Sequence, residues 1–154
     1  MKRLFAILVM CVVALVSAEV ASAQFSKLSF GKYGVSSIRP ESLRAVRGTV
    51  WIDVNNPLEG FTVSEIKGTV YKNGAPFVYG SASDVHIPSG SARAVISGRA
   101  SLSSTASLWD VLALIVFDPE DYSVDLSVRI TLDSGQTRVV SKKKMPVAAL
   151  LKLI

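Results

Sequence analysis

His86 is the single histidine among 154 residues. Imidazole exchanges protons near neutral pH, so general-base catalysis or metal ligation would have to start there. Nucleophilic catalysis needs that base beside a positioned serine, yet no Gly-x-Ser-x-Gly elbow surrounds any serine, and Ser89-Gly90-Ser91 reads as a turn. A metal would draw on Asp and Glu, and no ligand stands at metal-site spacing beside His86. Asp118, Glu120 and Asp121 gather three carboxylates in one loop, the oxygen donors a hard cation takes. They lack the regular spacing of a calcium loop, and the loop reads as a helix stop. Cys11 is the only thiol and lies in an apolar run, so disulfide and thiolate chemistry are not expected of the folded part. The expectation is a chain without catalytic, cofactor-binding or metal residues: not an enzyme.

Two stretches carry chemistry of contact instead. Lys142-Lys143-Lys144 is the densest charge run. On an alternating strand Lys142 and Lys144 share one side and Lys143 takes the other. Such charges guard a sheet edge against pairing, or meet an anionic surface such as lipid headgroups or cell-wall polymers. The second stretch is Ser107 to Phe117. Ser107 with Asp110 three residues on suggests a capping box, and Leu108, Val111, Leu112 and Ile115 follow at helical spacing. Trp109, Ala113 and Val116 make the opposite side apolar too, so the helix is expected to be covered or to cover something. Trp51 is expected to pack against it or against Leu150, Leu151 and Ile154. The candidate ligand or partner surface is therefore Trp51, Trp109, Leu112, Val116, Lys142 and Lys144.

The elements that position these residues are strands. Away from the Ser107–Phe117 segment and the C-terminus, the apolar period is two. Leu28 to Ile38 is a first strand, turned by Arg39-Pro40-Glu41-Ser42. Val46, Gly48, Val50, Ile52 and Val54 share a face of the second, which must end by Pro57. Phe61 and Val63 run in one phase and Ile66, Gly68 and Val70 in the other, which predicts a bulge near Ser64-Glu65. Asn73-Gly74 is a hairpin turn, returning as Phe77 to Val85. After Pro88-Ser89-Gly90, the in-phase set from Ala92 to Leu102 is a fifth strand. Tyr122 to Leu132 and Thr137 to Lys143 are the sixth and seventh, joined at Asp133-Ser134-Gly135-Gln136, and a short helix follows Pro146. Seven strands at even spacing with one inserted α-helix and a short C-terminal helix predict an all-β, antiparallel β-sandwich of immunoglobulin or fibronectin-III type.

The N-terminus has a different character. Lys2 and Arg3 precede an unbroken apolar run from Leu4 to Val16, and Ala21-Ser22-Ala23 offers the small residues of a cleavage site. This is the layout of a signal peptide over residues 1–23. The run of 13 residues reaches about 20 Å as a helix, short of the roughly 30 Å hydrocarbon core. The remaining readings are a retained anchor and a second cleavage site at Val16-Ser17-Ala18. Residues 24–154 suit one domain, expected to be secreted or periplasmic. With 17 Lys and Arg against 12 Asp and Glu, the chain is mildly basic at +5. No nucleic-acid motif accompanies that charge.

Three punctuation marks recur in a recognisable order: Asn56-Pro57 after an alternating strand, Tyr71-Lys72-Asn73-Gly74, and Ile87-Pro88-Ser89-Gly90. With the helix after the fifth strand and the Pro146–Ile154 tail, the chain from about Ser36 to Ile154 resembles the LEA-14 type of late embryogenesis abundant protein, the LEA-2 or WHy domain. Where that family often carries a further Asn-Pro-aromatic element, Leu58-Glu59-Gly60 follows here. The resemblance implies a folded sandwich, an association with stress or desiccation tolerance, and no active site. The expected function is a non-enzymatic exported binding or protective module of the cell envelope, its partner an envelope lipid, an anionic polymer or a protein. The alternatives are a lipid or hydrophobic-ligand carrier with a groove beside Trp109, and a structural or assembly protein using open sheet edges.

Overall fold

The computed structural model describes residues 28–116 and 118–151. The proposed signal segment lies outside these residues, as do Phe117 and the last residues of the tail. The chain is an all-β antiparallel sandwich. Its strands are β1 (Ser29–Ser42), β2 (Ala45–Asn56), β3 (Phe61–Lys72), β4 (Ala75–Ala82), β5 (Val85–Ile87), β6 (Gly90–Leu102), β7 (Tyr122–Leu132) and β8 (Thr137–Pro146). Among the described residues there are also two helices of five residues, α1 (Leu108–Leu112) and α2 (Val147–Leu151), and two 3-10 turns (Ala113–Val116 and Pro119–Asp121). The seven predicted strands are all present, and the fourth divides into β4 and β5 at Ser83-Asp84.

The strand order is β1-β2-β6-β4-β3-β7-β8, with β5 on β3. These strands form one continuous hydrogen-bonded sheet, in which β6 pairs with β2 and, over Gly98–Leu102, with β4 as well. Alternation explains the core. Val46, Val50, Ile52 and Val54 of β2 are buried, as are Tyr122, Val124, Leu126, Val128 and Ile130 of β7, while the residues between them face outward. All belong to one apolar cluster, where the Phe77 and Tyr122 rings pack with centroids 6.1 Å apart.

The turn chemistry follows the sequence. Asn73 (φ 50°) and Gly74 (φ 83°) are both left-handed, as a two-residue hairpin turn requires. The bulge in β3 lies at Glu65 (φ 51°), where the β3–β7 register shifts between Ser64 and Lys67. That extra residue lets Phe61, Val63, Ile66 and Val70 all point inward.

Two expectations need correction. Arg39-Pro40-Glu41-Ser42 is not a turn: β1 runs on to Ser42 and the chain reverses at Leu43-Arg44. An edge strand tolerates Pro40 because the missing N–H would face solvent, and the register shifts there. Second, Lys142 and Lys144 do not share a side. The β7–β8 register shifts between Val124/Met145 and Leu126/Lys142, so Lys143 and Lys144 together stand opposite Asp125. Lys144 adopts φ 53° and its amide donates to the Asp125 carboxylate at 2.7 Å. A bulge has replaced the alternation.

Candidate functional site

The segment that presents Trp109 is fixed from beneath by polar groups. Ser103 is buried; its amide donates to the Phe77 carbonyl at 2.9 Å and its hydroxyl to the Pro76 carbonyl at 2.8 Å. The Arg44 guanidinium reaches from the β1–β2 turn to the Ser103 and Ala106 carbonyls at 2.5 and 2.8 Å. Charge-assisted bonds of this kind hold a loop more firmly than neutral ones. Ser107 then caps α1: its hydroxyl accepts from the Asp110 amide, and the Asp110 carboxylate accepts from the Ser107 amide at 2.7 Å. Asp110 also lies 3.5 Å from the Lys72 ammonium. The Ser107 amide and hydroxyl, with Lys72, hold the Asp110 carboxyl below its ordinary range.

On this mount Val111 packs against the core, while Trp109 (80% exposed), Leu112 (53%) and Val116 (84%) face solvent. Trp109 and Leu112 are three residues apart in α1 and so lie on one side, and Val116 is exposed at the end of the 3-10 segment that follows. Of the two expectations, a helix that is covered or one that covers something, the first does not hold for Trp109, which no described residue covers. The chain turns into a 3-10 segment after five residues, and only Val111 among the described side chains of α1 faces inward.

Trp51 does not join this surface. It stands on the outward face of β2, and the Arg93 guanidinium lies 3.8 Å from the centre of its ring. Arg93 is held in turn by a bidentate pair with Asp53, at 2.7 and 3.1 Å. That pair keeps the Asp53 carboxyl below its usual range. Across the strand Trp51 faces Gly34, where a Cβ would come within 2.8 Å of the indole. The ring covers bare backbone on β1; the alternative expectation, packing on Leu150, Leu151 and Ile154, falls on side chains outside the described residues.

His86 and Asp118 each have a local partner. His86 Nε2 lies 3.1 Å from the Asp133 carboxylate, and both groups are half exposed. Asp118 caps its 3-10 turn by accepting from the Glu120 amide. Among the described residues no three His, Cys, Asp or Glu side chains converge as a metal site.

Asn56 has a larger role than ending a strand. It is fully buried. Its Oδ1 accepts from the Leu58 amide at 3.0 Å, and its Nδ2 donates to the Glu59 and Pro88 carbonyls at 2.9 and 3.3 Å. The Asn-Pro stop and the Ile-Pro-Ser-Gly turn are thus one hydrogen-bonded unit. Next to it, Glu59 accepts from the Ser134 amide and hydroxyl, and the Asp133 amide donates to the Gly60 carbonyl.

Sequence reasoning found only one corner of a further surface. Two shallow grooves of about 460 and 560 Å³ lie on the outer face of the strands and share Ser81 and Arg99. Their basic residues are Arg39, Arg47, Lys67, Arg99, Lys142 and Lys143. Only the last two belong to the lysine run. The signal that could have found the others is a basic residue at the outward phase of predicted strands.

An all-β sandwich with an exposed apolar turn at one end and a basic outer face is the class these features define. No protein-family model matches the chain, and a search of curated proteins gave no match. Among solved structures the chain is similar to one titled "Crystal structure of protein from Archaeoglobus fulgidus", at 15% identity over 75% of this chain and 94% of that one, with a TM-score of 0.44.

Proposed function

We propose that this protein is a non-enzymatic binding and protective module that acts in the cell envelope after export. The observation that carries this reading is the exposure of Trp109 and Leu112 on α1 and of Val116 on the 3-10 turn after it, mounted on a buried serine, an arginine clamp and a capping box. Apolar side chains held out on an ordered support favour contact with an apolar surface. The LEA-14-like order of motifs and the signal-like N-terminus support the setting and the protective role. The outward direction of Trp109 favours docking onto a surface over enclosing a carried lipid.

The test uses Trp109 as its own reporter in a Trp51→Phe background. Phospholipid vesicles or solubilised envelope proteins should shift its emission to the blue, and Trp109→Asp with Leu112→Asp should abolish retention on whichever surface binds. Emission unchanged by both preparations would overturn the reading. Lipid copurifying in stoichiometric amount would replace it with the carrier.

A further inference from the structure

The strand registers assemble a row that no single stretch of sequence contains. Arg39 of β1 stands opposite Arg47 of β2, and Arg47 opposite Arg99 of β6. Arg99 faces Ser81 of β4, Ser81 faces Lys67 of β3, and the row continues through Ser127 of β7 to Ser141 of β8. At about 4.8 Å per strand the seven positions run roughly 29 Å along the sheet. Directly opposed like charges destabilise a sheet, and here three arginines are placed side by side. Glu41 relieves two of them, at 3.2 Å from Arg47 and 2.7 Å from Arg99. Arg39 and Lys67 are exposed and have no carboxylate partner among the described residues. The flanking positions carry hydroxyls, Ser37, Thr49 and Ser97 on one side and Ser101 and Thr69 on the other, and one carboxylate, Asp125, which accepts from the Tyr71 hydroxyl and the Lys144 amide. Tyr79 offers one exposed ring within the same groove.

We infer that this row binds a linear acidic polysaccharide laid across the strands. Its carboxylates meet Arg39, Lys67 and the arginines that Glu41 now occupies, and its hydroxyls meet the serines and threonines. A line of cations in a groove suits a chain of anions better than a flat membrane. Hydroxyl-bearing walls with a single ring suit sugar better than nucleic acid, which needs a series of stacking platforms. The inference uses the proposed envelope setting only to say where such a polymer is met; its surface is separate from α1.

The probe is an alginate oligomer titrated into the full-length protein by calorimetry. Binding is expected at low salt and should weaken steeply as salt rises. Arg39→Ala with Lys67→Ala, which breaks no ion pair of the fold, should weaken it about tenfold at unchanged melting temperature. Glu41→Gln should tighten it, because a competing carboxylate is gone. Trp109→Asp should leave it unchanged, so a failure of the α1 reading does not touch this one. Absence of binding, or equal binding by the Arg39/Lys67 variant, would overturn the inference. So would tighter binding of polyphosphate, a single-stranded oligonucleotide or anionic vesicles than of the oligouronate.

Discussion

Asn56 shows how much one side chain can hold. Its amide satisfies two carbonyls and one N–H, all in a connection without regular structure. Buried polar groups left without partners cost about 1–3 kcal/mol each. Asn56→Ala strips several at once, so urea denaturation should show a loss of about 3 kcal/mol. Asn56→Asp should cost more, because it turns an acceptor towards the Glu59 and Pro88 carbonyls. A loss under about 1 kcal/mol for Asn56→Ala would show that water replaces the amide. The bend at Asn56 was legible in the sequence, since Asn before Pro is a turn former. Its burial was not, because the Pro88 carbonyl comes from 32 residues away. Trp51 is a similar case: its position on the wetter face could be read, but Gly34 and Arg93 reach it only through the register of β1 and β6.

At the scale of elements, strands with a strict period were the most legible. β2 and β7 are each buried on one face and pack into one core, and their sequences state that pattern without help from neighbours. Edges and ends were less so. β1 carries a proline past the point where a central strand would stop, and β8 inserts a residue at Lys143-Lys144 for which alternation gives no sign. The basic row was illegible for the same reason at larger range: it exists only once six strand pairs have fixed their registers. α1 is short and depends on its cap, which makes it sensitive to acid. The Asp110 carboxyl is held below its ordinary value of 3.8 in the folded chain. A lowered carboxylate contributes stability that is present above that value and is lost as pH falls through the folded one. Acidification below pH 3.8 should therefore release α1 before the sandwich unfolds. In the Trp51→Phe protein, Trp109 emission should change in that range while the far-ultraviolet strand signal holds. Asp110→Asn should remove the transition, and a transition that persists would place its origin elsewhere.

For the whole molecule the question is what the two sheet edges do. β1 breaks register three times and includes Pro40; β8 carries a bulge, three consecutive lysines and Pro146. Irregular, charged and proline-bearing edges resist the addition of a further strand. The molecule should accordingly run as a monomer by light scattering up to high concentration at neutral pH. Concentration-dependent growth in mass would revive the assembly reading. No exposed residue of α1 lines either basic groove, so the two proposed surfaces can be disabled one at a time.

The two ends of the sandwich should also differ in how their amides exchange with deuterium. The connection from Asn56 to Phe61 has no helix and only a strand at either side, and by appearance it should open readily. Yet the Leu58 amide is tied to Asn56, and the Asp133 amide to the Gly60 carbonyl. Both ties sit beside the buried core, so neither can break without loosening β2, β3 and β7 together. This end is expected to behave as the slow-exchanging foundation, with protection near that of the central strands. At the opposite end, α1 has one inward-facing side chain among those described and should open in local excursions that leave the sandwich intact.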